Sequence, residues 1–223
     1  MTVLAPLHFA DAREAADLAG FLQRLLRYDR AAAVRLQAGG GALAVFGRPP
    51  SFEVLAIRTA RLVDEALALD VTVSAGELLE GIEESAGKAV VPEAVTGPPW
   101  AGVLPPRGGW RSVEGVPPGA ELRAAVAAAV AEFRTRDEAL PEERRTRAER
   151  DRIGREIWSR TVAGTGLPLR AVHAAQSLGF LPGDVPVTVL AAGPWLRLRT
   201  PYGSVAVRAV PGLSLSVAPT AHA

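Results

Sequence analysis

The chain has 223 residues and is 48% hydrophobic, so it can bury a core in one large or two small domains. Its formal net charge is +1, so no overall electrostatic field favours nucleic acid or acidic partners. It has 0 cysteines, which excludes disulfides, thiolate metal sites and cysteine nucleophiles. No apolar run reaches the roughly 18 residues of a membrane helix, and the segment from Met1 to Phe9 lacks the basic start and apolar core of a signal peptide, so we expect a cytoplasmic location.

The N-terminal part predicts a helix followed by a sheet. Asp11 is a plausible N-cap for a helix over residues 11–28, and its apolar side chains recur every three or four residues. Residues 31–73 are rich in Val, Leu and Ile and are interrupted by Gly39-Gly40-Gly41 and by a proline pair, which suit turns between strands. We therefore expect a four-stranded antiparallel meander, followed by a short helix over residues 75–84.

Residues 85–119 are crowded with proline and glycine and predict a long ordered connection. Trp100, Trp110 and the apolar residues near them would be costly to expose to water. A connection of this length is usually functional or lies at a domain boundary. We therefore predict a helix–sheet–helix unit over residues 1–86, an ordered connection over 87–119, a helical unit over 120–209 that ends in hairpins, and a flexible tail over 210–223.

The C-terminal half predicts three helices and then three strands. The helices are expected over residues 120–136, 141–160 and 168–178, and the strands over 185–191, 195–200 and 204–208. The fold class predicted for the whole chain is α+β, with a three-helix segment and a small C-terminal antiparallel sheet. The pattern leaves open whether the two halves share one core.

The order helix, turn, helix, hairpin across residues 142–208 resembles that of a winged-helix DNA-binding domain. The resemblance implies that the helix over residues 168–178 reads DNA and that the 195–208 hairpin is the wing. The residues that would then contact nucleic acid or another anion are Arg170, His173, Gln176, Arg197 and Arg199. Any surface helix has a polar side, and side chains alternate along any antiparallel strand, so these patterns alone do not indicate DNA binding. We therefore prefer the interpretation that these elements are structural or contact a protein.

No catalytic, metal or cofactor motif is present. The only histidines are His8, His173 and His222, no two of them have ligand spacing, and no G-x-S-x-G sequence occurs. We therefore expect no cofactor and no metal, and the leading hypothesis is a non-catalytic protein that binds a partner protein or associates with itself. Its expected partner contacts are Trp100, Trp110 and Trp195. The alternatives are the winged-helix regulator and an enzyme whose site is assembled from scattered residues.

Overall fold

The computed structural model describes residues 6–208 of the chain. The predicted tail over residues 210–223, which includes His222, lies outside the described residues. The described part combines helices with a large antiparallel sheet, so the predicted α+β class is confirmed. None of the helices in this part is both long and apolar enough to cross a membrane.

The described residues form five α-helices and eleven strands. The helices are α1 (Ala12–Tyr28), α2 (Ala75–Glu80), α3 (Gly119–Glu138), α4 (Arg147–Trp158) and α5 (Leu169–Ser177). The strands are β1 (Leu7–His8), β2 (Ala33–Gly39), β3 (Ala42–Gly47), β4 (Leu55–Arg61), β5 (Leu69–Ser74), β6 (Ile82–Glu83), β7 (Lys88–Ala89), β8 (Arg111–Val113), β9 (Thr188–Ala192), β10 (Trp195–Thr200) and β11 (Gly203–Arg208). A small sheet has the order β1-β7-β6.

The large sheet has eight antiparallel strands in the order β5-β2-β3-β4-β11-β10-β9-β8. Strands β2 to β5 are the four strands of the predicted meander. A simple meander would place β5 beside β4, but β5 pairs with β2 at the other side of the group. The C-terminal strands do not form a separate small sheet, because Ser204 to Ala206 of β11 pair with Leu55 to Ile57 of β4. The two halves of the chain therefore share one sheet.

The same order of elements occurs twice about the β4–β11 pair. In each half a helix precedes three consecutive strands, α1 before β2 to β4 and α5 before β9 to β11, and a further strand lies beside the first of the three. Phe21 in α1 and Phe180 just after α5 stack with their ring centroids 5.5 Å apart, and both are at most 2% exposed. The two halves therefore meet through a packed apolar seam.

The helices cover one face of the large sheet, the inner face. Side chains alternate across a strand, and the inward ones, such as Val34, Leu36, Leu43 and Val45, are fully buried. They belong to a single apolar core that also takes side chains from α1, α3 and α5.

The proline- and glycine-rich segment crosses the opposite, outer face. Arg35 on this face donates a hydrogen bond to the carbonyl oxygen of Ala101. Trp100 and Leu104 pack over a second apolar cluster on the outer face, which comprises Phe46, Leu55, Ile57 and Ala206. The segment then enters the sheet as β8, which pairs with β9. Burial of this cluster supplies the apolar contacts that hold the segment in place.

The predicted helix over residues 141–160 is shorter in the structure. Glu142–Arg144 form a single 3-10 turn, and α4 begins only at Arg147. Thr146 is the N-cap of α4, and its hydroxyl oxygen accepts a hydrogen bond from the N–H of Glu149 at 3.3 Å. This Thr-x-x-Glu spacing is a helix-start signal that marks the true boundary.

For α1, the predicted cap is confirmed, since the carboxylate of Asp11 accepts a hydrogen bond from the N–H of Glu14 at 3.0 Å.

Candidate binding groove

An open groove of about 920 Å³ lies on the inner side of the molecule, and α4 forms one wall. The end of α1, the turn before β4, Phe133 of α3 and two side chains of α5 line the rest. Its volume falls in the range of ligand-binding clefts in proteins. We call it the aromatic groove and define it by Tyr28, Phe52, Gly154, Trp158 and His173.

Four aromatic rings from four separate segments form a row along the groove. Tyr28 and Phe52 meet edge to face at 5.2 Å, and Phe52 and His173 do the same at 5.0 Å. His173 then stacks on Trp158 at 4.3 Å. Each such pair contributes about 0.5–1.5 kcal/mol beyond the area that it buries. Phe52 in the middle is 6% exposed whereas Tyr28 is 40% exposed, so the row ends in an accessible ring.

The backbone beside Phe52 is in an unfavourable conformation. Glu53 has φ 51°, and it is the only non-glycine residue with positive φ among residues 6–208. Such a conformation costs on the order of 1–3 kcal/mol and occurs preferentially at binding and catalytic sites. Here it lets the chain turn from the 3-10 turn Pro50–Phe52 into β4. Phe52 consequently stays in the aromatic row.

The groove is lined by three arginines and three acidic residues, and two of the arginines are weakly paired or unpaired within residues 6–208. The buried Nε atom of Arg170 has no hydrogen-bond partner within the described chain, and it lies 4.0 Å from the carboxylate of Glu53, which is 72% exposed. Arg155 is exposed, with no ion pair to any residue in 6–208. Glu156, in contrast, binds Arg136 through two hydrogen bonds of 2.7 and 2.8 Å. A carboxylate entering the groove would therefore find guanidinium donors on Arg170 and Arg155.

A glycine keeps the floor of the groove open. Gly154 lies in the middle of α4, where glycine costs roughly 0.5–1 kcal/mol relative to alanine. A Cβ atom there would lie 3.7 Å from Phe133 and from Trp158, which is ordinary contact. A methyl group therefore fits at this position, and a longer side chain would fill the space between the two rings.

His173 gives the groove a predicted pH dependence. Burial lowers the pKa of His173, because the fold removes water from the charged imidazolium. The unfolded chain then takes up a proton at higher pH than the folded chain, so the contribution of His173 to stability is complete above about pH 6.5 and is lost as the pH falls through the lowered pKa. The charged groups that line the same groove are Glu53, Arg150, Asp151, Arg155, Glu156 and Arg170.

We expect the melting temperature of the wild type to fall more steeply between pH 7.5 and pH 5 than that of His173→Phe, which keeps a ring on Trp158 but cannot titrate. Thermal denaturation at a series of pH values measures this difference. Parallel pH profiles for the two proteins would contradict the expectation.

The residues predicted to contact nucleic acid do not lie on one surface. Arg170 and His173 are in the aromatic groove, and Gln176 is exposed further along α5. Arg197 and Arg199 point to the outer face of β10, since the intervening Leu198 is in the core beneath the helices. The sheet therefore separates the two arginines from the residues of α5.

The winged-helix interpretation is wrong. The hairpin over residues 195–208 does not project as a wing, because β10 pairs with β9 and β11 pairs with β4. The expected recognition helix α5 packs against β10 and β11, and more than half of its residues are buried, namely Leu169, Ala171, Val172, Ala174 and Ala175. Its polar side chains Arg170 and His173 lie in the aromatic groove beside α4, so they do not form an exposed surface that could enter a DNA groove.

The three tryptophans predicted to contact a partner all belong to the outer side of the sheet. Trp100 and Trp195 pack against the second apolar cluster. Trp110 donates a hydrogen bond from Nε1 to the carbonyl oxygen of Pro106 at 2.9 Å. The tryptophan in the aromatic groove is Trp158, the last residue of α4, which was not among the predicted partner contacts. A glycine four residues before a tryptophan on a helix was the available signal, because these positions lie on one helix face.

A second cavity of about 620 Å³ is lined mainly by charged residues at the start of α1 and in β4. At its centre Arg58, 6% exposed, donates hydrogen bonds to Asp17 at 2.9 Å and to the carbonyl oxygen of Tyr202 at 2.5 Å. Two of the three guanidinium nitrogens of Arg58 are paired in this way, and the buried Nε has no partner within residues 6–208. We interpret the cluster as part of the framework, because its charged groups are paired mainly with one another. Within residues 6–208 no three His, Asp or Glu side chains are arranged to hold a metal ion.

Comparisons with known proteins divide the chain into two matched parts. Residues 3–102 match a family model described as "Domain of unknown function (DUF8010)", and residues 105–212 match one described as "Domain of unknown function (DUF8185)". The two matches meet within the segment that crosses the outer face. No match was found among curated protein sequences.

Two crystal structures of a DNA polymerase sliding clamp from Pseudomonas aeruginosa are similar to the chain, each at 14% sequence identity. The structure solved with ligand has a TM-score of 0.46, and the similarity covers 89% of this chain and 63% of that one. The other has a TM-score of 0.49 and coverages of 93% and 65%. The chain thus spans less than two thirds of the length of these clamps.

Proposed function

We propose that the chain is a cytoplasmic, non-catalytic protein that binds a short segment of a partner protein in the aromatic groove. The observation that carries this proposal is the row of rings from Tyr28 to Trp158 beside an open groove. Tyrosine, tryptophan and arginine are the residue types that dominate binding hot spots. Here they converge from segments far apart in the sequence.

The groove suits a segment that carries a bulky apolar side chain next to a carboxylate. The space above Gly154, between Phe133 and Trp158, accepts an apolar or aromatic group. Arg170, whose nearest carboxylate is that of Glu53 at 4.0 Å, and the exposed Arg155 favour an acidic residue beside it. A peptide of this kind gains ring contacts and an ion pair at the same time.

Peptides selected from a random display library on the immobilised full chain provide the test. We expect the enriched sequences to combine an aromatic residue with an acidic one. Trp158→Ala, which removes a ring, and Gly154→Leu, which fills the groove, should each weaken binding of a selected peptide by about tenfold or more, as measured by fluorescence polarisation. Ala128→Leu is the matched control, because it adds the same side chain at an exposed position of α3.

Peptide binding that survives both groove substitutions in folded protein would refute the proposal. Sedimentation of the same variants separates partner binding from self-association. If the wild type is a dimer that Trp158→Ala converts to a monomer, the groove holds a second copy of this chain and the partner assignment is wrong. Melting curves for each variant establish that it is folded.

A further inference from the structure

Positive charge and aromatic rings collect on the outer face of the sheet, at its C-terminal half. Trp195, Arg197 and Arg199 alternate along β10 and therefore share one face. Arg208 lies directly opposite Trp195 in the neighbouring strand β11. Successive members of this column are about 6.6 Å apart, since a strand rises about 3.3 Å per residue.

Trp110 completes this surface from the segment that crosses the outer face. Its ring lies 5.8 Å from the guanidinium carbon of Arg197. On the other side, Arg197 donates a hydrogen bond from Nε to the hydroxyl of Ser204 at 2.8 Å. Arg197 is thus held in place by an aromatic ring and a hydroxyl, neither of which cancels its charge.

No carboxylate within residues 6–208 forms an ion pair with Arg197, Arg199 or Arg208. Burial lowers the pKa of Arg197, and the neighbouring charge of Arg199 lowers it further. At the far side of the same face Arg35 is paired with Asp70 through hydrogen bonds of 2.7 and 2.9 Å. The C-terminal half of the face therefore carries like charges that an anion would stabilise.

We propose that this basic–aromatic face, formed by Trp110, Trp195, Arg197, Arg199 and Arg208, binds a short stretch of single-stranded nucleic acid. Phosphate groups match the uncompensated arginines, and the tryptophans provide surfaces on which unpaired bases stack. A duplex keeps its bases inside and is read by a helix or ribbon that enters a groove, which a sheet face of this kind does not provide. An acidic peptide would form ion pairs with the arginines, but its acidic side chains would not stack on the tryptophans.

This face is independent of the aromatic groove. The groove is on the inner side, under the helices, and the eight-stranded sheet lies between the two. Binding to the outer face should therefore be unaffected by Trp158→Ala.

Fluorescence anisotropy of a labelled oligothymidylate of about 15 nucleotides, titrated with the full chain at several salt concentrations, tests the inference. The double variant Arg199→Glu/Arg208→Glu should bind at least tenfold more weakly than the wild type, and the slope of log K against log salt should become shallower by about 1.4, the value for two lost phosphate contacts on a single strand. Trp195→Ala should weaken binding by about tenfold through lost stacking.

Arg134→Glu/Arg147→Glu is the matched control, because it changes the net charge equally at exposed positions of α3 and α4. It should bind within about threefold of the wild type. Equal weakening by the control, no binding at about 50 mM salt, or equal affinity for duplex DNA would overturn the proposal. So would displacement of the oligonucleotide by polyglutamate at the same charge concentration, which would indicate a general anion site.

Discussion

Replacing Phe180 with alanine is expected to lower the free energy of unfolding by about 4 kcal/mol, the usual cost of removing a buried phenylalanine ring. Phe180 is 2% exposed and stacks on Phe21 across the seam between the two halves. Its ring also lies against Gly203, where an added Cβ would be only 2.6 Å from two ring carbons. The truncated side chain would leave a cavity that this close-packed backbone cannot fill.

The effect should appear in the whole protein at once. Circular dichroism reports all of the helices, whereas tryptophan fluorescence reports the surroundings of the four tryptophans, at positions 100, 110, 158 and 195. We expect a single urea transition, shifted equally by both probes. Val103→Ala, at a side chain that is 51% exposed, is the control and should change stability by less than about 0.5 kcal/mol. Separate transitions for the two probes would show that the halves unfold independently.

Arg58→Met is the second substitution with a large expected effect, a loss of about 3 kcal/mol. Arg58 links β4 to Asp17 of α1 and to the carbonyl oxygen of Tyr202 in the β10–β11 turn. Its removal leaves Asp17 and the nearby Glu14, whose side chain is only 15% exposed, without a buried counter-charge. Breaking a buried ion pair usually costs about 3–5 kcal/mol. The expected loss is at the lower end of that range because the Asp17 side chain is 35% exposed.

Arg61→Met provides the comparison for this ion-pair network. Arg61 pairs with Glu14 at 2.8 Å and with Asp11 at 3.1 Å, but its side chain is 69% exposed. Water and salt screen such a pair, so its loss should change stability little. Chemical denaturation of both variants, with and without added salt, measures the difference. If Arg61→Met destabilises the protein as much as Arg58→Met, burial is not what gives Arg58 its importance.

Part of the candidate site could be predicted from the sequence. The polar side of α5 identified Arg170 and His173, because an amphipathic helix shows which side chains are available for contact. Tyr28, Phe52 and Trp158 escaped notice, since each is unremarkable in its own segment. They form a row only because α1, α4 and the turn before β4 converge beside α5. Arg197 and Arg199 were identified for a similar reason, because side chains alternate along β10. Their strand was predicted to be part of a wing, whereas it is an inner strand of the large sheet.

Local patterns in the sequence determined where most helices and strands lie, because caps, turns and hydrophobic periods act over a few neighbouring residues. The pairing of β5 with β2 and of β11 with β4 was decided only in the tertiary structure. The β4–β11 pair joins positions more than a hundred residues apart. The alternation of apolar and polar side chains along a strand is compatible with several neighbouring strands, so it does not by itself determine the pairing. Which strands meet depends on how all the apolar faces are buried together, and that choice also sets which side chains share the groove and the outer face.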